Sequence, residues 1–189
     1  MATADLTRQR LVRAALELFT SQGYHVTTTA QIAKKAGVAE GTIYKHFESK
    51  QHLLNELYRG AARWASRAAE EADATPGTVR ERLQLLAQRL VAGAGQDPAV
   101  MQIYFVDRHR NVLDEKSREA GREFHNALER LLARGKADGM IRPGAAEVWA
   151  GVWLGVVRQA LERVLTREWG ENSPGVRQSI EAAWIAISR

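Results

Sequence analysis

One run, TTAQIAKKAGVAEGTIYKHF from Thr28 to Phe47, constrains the fold more than any other stretch. Thr28 or Thr29 can cap a first helix, because a hydroxyl accepts a bond from an orphan backbone N–H. Ile32, Ala33 and Ala36 give that helix one apolar side. Gly37 stands where the chain must turn sharply, and glycine alone takes positive φ without steric cost. Val38 anchors the turn, and Ala39 to Phe47 reads as a second helix. Its apolar side carries Ile43 and Phe47. Glu40, Gly41, Thr42, Tyr44, Lys45 and His46 face outward. A helix-turn-helix with a polar, aromatic and basic outer face has the shape that enters a DNA major groove.

Charge agrees with that reading. Lys and Arg outnumber Asp and Glu by five over the whole chain. Residues 1–50 hold seven basic and four acidic side chains, so three of the five excess charges sit in the first quarter. A local basic surface suits a polyanion better than a uniformly basic body does.

The remainder reads as all-α. Asp5 or Thr7 starts a first helix, with Leu11, Ala15, Leu18 and Phe19 at helical spacing, and Gly23 ends it. Ser49 caps a long helix carrying Leu53, Leu54, Leu57, Ala61, Trp64 and Ala68. Asp73–Gly77 is a linker, and Thr78 with Glu81 forms a capping box. Val79, Leu83, Leu86 and Leu90 then make an amphipathic stripe, which the stretch 93–98 breaks. A short apolar helix over 99–108 follows, then a long one from Val112 to about Ala137. Pro143 suits the first turn of the next helix, which runs to about Glu168, and Ser173 and Pro174 open the last. The expected domains are residues 1–48, binding DNA, and 49–189.

The segment from Ala145 to Val157 departs from simple amphipathicity. Val148, Trp149, Val152, Trp153, Leu154, Val156 and Val157 leave almost no polar side, so both sides need cover. Gly151 and Gly155, one turn apart, let another backbone approach closely. Two explanations stand: a central helix of a monomeric bundle, or a helix shared with a second subunit. In the second, Trp149, Gly151 and Gly155 join Ile180, Trp184 and Ile187 of the last helix in an isologous four-helix contact.

Several function classes are disfavoured. The chain has no cysteine, hence no disulfide and no thiolate metal site. His25, His52, His109 and His125 are isolated, and no Gly-rich phosphate loop or nucleophile elbow occurs. Glu115, Glu119 and Glu123 line one helix face, but Arg118 and Arg122 beside them make it a solvated, ion-paired face. An enzyme, a metal or a cofactor is therefore not expected. Glu17 interrupts Leu11–Phe19, so no signal peptide is evident, and Val148–Val157 is too short for the ~20 residues of a membrane span. A cytoplasmic protein with no membrane partner is the expectation.

The N-terminal segment resembles the DNA-binding domain of the TetR/AcrR family of transcriptional regulators. The likeness runs through Arg10-Leu11, Ala15, Leu18-Phe19, Gly23-Tyr24, Thr28, Ile32-Ala33 and Ala36-Gly37-Val38. It continues through Gly41-Thr42-Ile43-Tyr44, His46-Phe47, Lys50 and Leu53-Leu54. The resemblance implies a three-helix DNA-binding domain followed by a helical ligand-binding and dimerisation domain. It also implies a homodimer on a palindromic double-stranded operator, most often a repressor, released by a small-molecule effector. Carried over by position, it puts Thr28, Tyr44, His46 and Lys50 on phosphates, with Thr29 beside them. Glu40, Gly41, Thr42 and Lys45 come near base edges or backbone. Two residues depart from the pattern. Glu40 either accepts from cytosine N4 or sits favourably at a positive helix end, and Ala30 stands where relatives often carry Arg or Lys.

Aromatic content in the second part suggests an effector pocket. Tyr58, Trp64, Tyr104, Phe105, Phe124 and Trp153, with Leu86, come from several helices and favour an apolar or aromatic ligand. An interior Arg such as Arg108 would meet an anionic group. The rival reading is a helical dimeric ligand-binding or adaptor protein without sequence-specific DNA binding; an apolar or acidic outer face on Ala39–Phe47 would favour it.

Overall fold

The computed structural model describes residues 2–106 and 111–189, with side chains from residue 4 onward. It is all-helical apart from one bridge between Ile141 and Ser188. The helices are α1 (Ala2–Ser21), α2 (Thr29–Ala36), α3 (Lys50–Ala74), α4 (Val79–Gln96), α5 (Pro98–Phe105), α6 (Glu115–Ala137), α7 (Ala146–Leu165) and α8 (Pro174–Ile187). Between α2 and α3, Glu40–Lys45 forms a 3₁₀ helix, hereafter the recognition helix. No helix among the described residues is long and apolar enough to cross a membrane.

Side-chain caps fix most of the starts. Thr28 accepts from the Gln31 N–H while Gln31 accepts from the Thr28 N–H, a complete capping box. Thr78 and Glu81 repeat the device at α4. Ser49, Asp97, Asp114 and Ser173 cap α3, α5, α6 and α8, with Pro98 and Pro174 in the first turns they suit. Gly37 takes φ +67° and closes α2 with a left-handed turn.

Several boundaries differ from the sequence expectation: α1 begins at Ala2 rather than at Asp5 or Thr7, and the recognition helix is a 3₁₀ helix over Glu40–Lys45 rather than a helix from Ala39 to Phe47. Helix α4 continues past Gly93 to Gln96, because Asp97, not the glycines, ends it and caps α5. Helix α6 begins after its cap Asp114 rather than at Val112. Pro143 precedes the α7 N-cap, Ala145, by two residues, so it belongs to the turn. Helix α7 stops at Leu165, where Arg167 turns left-handed at φ +61°. The expected end of the short apolar helix at Arg108 lies outside the described residues, as does His109.

Two apolar cores divide the molecule. The first gathers Leu11, Ala15, Phe19, Ile32, Ile43 and Phe47 with Leu53, Leu54 and Leu57 of α3 and Ile103 of α5. The second joins the later turns of α3 to α4, α6, α7 and α8. Helix α3 belongs to both; its 25 residues span about 37 Å at 1.5 Å each. With α5, which places Ile103 in the first core and Met101 and Phe105 in the second, it links the two.

A buried polar clamp holds that link. Asn55, 1% exposed, donates to the Val112 carbonyl at 3.0 Å and accepts from the Asp114 N–H at 2.8 Å. One turn on, Arg59 pairs with Asp114 at 2.9 Å and Glu56 at 2.7 Å. Burial disfavours its charge, but these two carboxylates more than offset that, and its pKa rises. Helix α3 is thereby pinned to the start of α6.

Candidate nucleic-acid interface and ligand site

The outer face of the recognition helix follows from what holds its inner face. Ile43 and Phe47 are each 1% exposed, locked among Leu53, Leu54 and α1. Glu40, Gly41, Tyr44 and Lys45 are exposed, and Thr42 and His46 half-buried. Tyr44 is 55% exposed, and its hydroxyl lies 3.3 Å from Thr29 Oγ1. Thr29 also donates to Glu40 at 3.1 Å, so three side chains from two helices meet on one surface. Glu40 thus ties the recognition helix to the start of α2, a bond outside both sequence-based expectations for this residue. Apart from its own helix backbone and chain neighbours, no atom of the described residues lies within 4 Å of where a Cβ on Gly41 would stand, which leaves room for a close approach. Thr28, by contrast, has its hydroxyl engaged in the capping box.

Lys50, expected on a phosphate, has partners within the protein. Its ammonium donates to the carbonyls of Thr27 at 2.8 Å, Tyr24 at 2.9 Å and His25 at 3.4 Å. It also lies 4.4 Å from the Tyr24 ring centroid, a cation–π contact. All three of its donors are used, and partial burial lowers its pKa. Lys50 therefore clamps the loop between α1 and α2, and a phosphate contact would have to share or displace these carbonyls. Lys50→Met should cost about 1–3 kcal/mol in urea unfolding and leave the salt dependence of DNA binding unchanged. A slope reduced by ~0.9 per protomer would return Lys50 to the phosphate contacts.

The expected aromatic pocket residues do not share one described cavity. Tyr104, Phe105 and Phe124 pack edge to face at centroid distances of 4.7, 5.6 and 6.0 Å, and Tyr58 joins Tyr104 at 5.2 Å. Leu86 and Trp153 are core residues, 0% and 1% exposed. Of these seven residues, Trp64 alone lines the roughly 460 Å³ cavity between α1, α3, α4 and α5. Among the described residues the rings pack against one another, and none of the other six lines the cavity that takes Trp64. Burial pushes the Tyr104 phenol well above its ordinary pKa, and its hydroxyl donates to the Gly121 carbonyl at 3.2 Å. Arg158 of α7 acts electrostatically on Tyr104, and its buried Nε has no hydrogen-bond partner among the described residues. Arg108 lies outside the described residues.

Helices α7 and α8 leave an apolar surface open. Val148 and Val152 are 56% and 37% exposed, with exposed Gly151 and Gly155 between and beyond them at helical spacing. On α8, Ile185 is 57% exposed, while Ile180 and Trp184 are half-buried. Ile187 is 0% exposed and belongs to the second core, which corrects its place in the expected subunit contact. Trp149 is half-buried, its indole N–H donating to the Pro143 carbonyl at 3.2 Å. The exposed Val148, Val152 and Ile185 lie outside the set of residues expected at that contact. Among the described residues no cluster of His, Asp and Glu is arranged to hold a metal.

Comparison with known proteins agrees with this architecture. Residues 11–57 match the family described as bacterial regulatory proteins, tetR family. The fatty acid metabolism regulator protein of Bacillus subtilis is 32% identical over 139 residues, covering 71% of each chain. A TetR family transcription regulator from Shewanella sp. PV-4 superposes with a TM-score of 0.80 at 25% identity, over 97% of this chain and 98% of that one. The transcriptional regulator FadR from Bacillus subtilis, in complex with stearoyl-CoA, superposes with a TM-score of 0.75 at 23% identity, over 94% and 95% of the two chains. The helix-turn-helix, the helical second domain and a relative matched across most of both chains lead to one conclusion: this chain belongs to the TetR family of bacterial transcriptional regulators.

Proposed function

We propose that the chain is a homodimeric repressor that binds a palindromic DNA operator in the cytoplasm and releases it when a small molecule binds. One observation carries the DNA reading. The recognition helix exposes Glu40, Gly41, Tyr44 and Lys45 while Ile43 and Phe47 hold it against the domain core. The adaptor alternative needs that face apolar, acidic or covered, and it is none of these. Thr42 offers a hydroxyl and a methyl to base edges, and Tyr44 and Lys45 suit phosphates or groove edges.

The exposed faces of α7 and α8 support the homodimer. Valines flanking two glycines allow two copies of α7 to cross closely around a twofold axis. A dimer then sets the spacing of two recognition helices, which fit successive major grooves at ~34–36 Å. The effector acts through differential affinity for arrangements with different spacing. Helix α3, pinned at Asn55 and Arg59, transmits the change. The stearoyl-CoA in the B. subtilis structure and the unpartnered Arg158 Nε both support an effector with an apolar part and an anionic part.

Selection of bound duplexes from a random pool tests this reading. It should return a palindrome whose half-sites are separated by about one helical turn, 10–10.5 bp, or a multiple of it. Enrichment without symmetry would remove the dimeric reading, and no enrichment would favour the adaptor.

A further inference from the structure

The cavity that contains Trp64 is left unused by the DNA face, the aromatic cluster and the α7–α8 surface. We propose that it binds a small amphipathic carboxylate, which braces the DNA-binding helices against the second domain. Only the bracing rests on the regulator reading above; the site itself does not.

Location comes first. The cavity lies where α1 meets α3, α4 and the start of α5. Two ion pairs bridge the same junction: Arg8 to Glu56 at 2.8 Å and Arg13 to Asp97 at 3.1 Å. An occupant of this space touches α1, which packs on the recognition unit, and α4, which packs in the second core. Its volume of about 460 Å³ suits a small ligand.

Small residues make the space. At Gly60, on an ordinary helical turn of α3, no atom lies within 4 Å of a built Cβ, so the helix leaves the volume open. At Gly93 a Cβ would meet Trp64 Cη2 at 2.7 Å; glycine there lets the indole lie against α4 as a wall. Trp64 is 38% exposed, so part of the indole face is free to meet an occupant. Leu16, Leu57, Val100 and Met101 complete an apolar lining.

Charge decides the ligand class. Both carboxylates of the lining are already paired, Glu56 with Arg8 and Arg59, and Asp97 with Arg13. Arg63 also lines the cavity and has no ion-pair partner among the described residues. The unspent charge is positive. A cationic ligand would have to displace guanidinium groups from both carboxylates, whereas a carboxylate meets Arg63 directly and leaves its apolar tail to Trp64 and Met101.

The test titrates the full-length protein with decanoate, and with decan-1-ol as the uncharged match, by calorimetry and by the indole N–H resonances. We expect one decanoate per protomer and movement of the Trp64 resonance, identified by its absence in Trp64→Phe. Gly60→Met fills the cavity and should weaken decanoate by roughly tenfold or more while abolishing the Trp64 response. Its melting temperature and helical content serve as the folding control. Arg63→Gln should weaken decanoate about tenfold and leave the alcohol unchanged. No binding by the wild type, binding indifferent to Gly60→Met, or equal loss of acid and alcohol in Arg63→Gln would each overturn the site. Operator affinity of the unliganded protein, measured separately, reports on the regulator reading. Decanoate bound at Trp64 with operator affinity unaltered would retain the site and overturn the bracing.

Discussion

Val152→Glu should turn the protein into a monomer and lower its operator affinity by about 10²–10⁴-fold, the gain that two linked half-sites provide. Val152 is 37% exposed on α7, one residue after Gly151 and one turn from Val148 and Gly155. At a twofold contact the substitution enters twice, so two carboxylates face one another with no cation among the exposed residues of that stretch of α7. An unpaired buried charge costs about 3–5 kcal/mol. Because Val152 faces outward, the fold of the protomer should survive, which circular dichroism would show. Sedimentation equilibrium reads the outcome, and a dimer of undiminished strength would remove α7 from the subunit contact. Trp184→Glu is a less clean test, because Trp184 is half-buried against its own core and stacks on Arg80 at 5.8 Å.

Phe47→Ala should destabilise the N-terminal domain by about 3–5 kcal/mol, the range for emptying a buried aromatic site. Phe47 is 1% exposed, shares its core with Ile43, Leu53 and Leu54, and carries the Arg8 guanidinium 5.1 Å from its ring centroid. A 3₁₀ helix of six residues has little stability of its own and stands only because Ile43 and Phe47 anchor it. The variant should therefore lose operator binding while remaining dimeric, since the second core and the α7–α8 face are untouched. Urea unfolding followed by near-ultraviolet and far-ultraviolet signals measures the loss. A cost below about 1 kcal/mol would mean the recognition helix is held by something else.

The helix-turn-helix is legible in the sequence because its determinants are local. A cap at Thr28, an αL glycine at Gly37 and apolar residues at Ile43 and Phe47 lie within one short run. The role of Lys50 is hidden because its partners, the carbonyls of residues 24, 25 and 27, are two dozen residues away and are brought to it only by the turn after α1. On α8 the periodicity of Val176, Ile180, Trp184 and Ile187 traces the side turned toward the protein's own core, where Val176 and Ile187 are buried. The outward Ile185 stands off that stripe, so a search for helical spacing passes over it. The aromatic residues cannot be sorted by composition, because ring orientation decides whether Phe105 and Phe124 fill space or enclose it. The Trp64 cavity depends on missing side chains at Gly60 and Gly93, and a missing side chain gives no apolar signal.

The proposed DNA binding rests on Tyr44 and Lys45 facing nucleic acid. It is tested most directly by equilibrium binding of a selected operator duplex to wild type and to the Tyr44→Ala/Lys45→Ala double variant across a salt series. The account predicts a dimeric, folded variant with sharply weaker binding and a slope of log K against log salt reduced by ~0.9 for each phosphate that is no longer neutralised. Equal affinity and equal slope in the two proteins would contradict it.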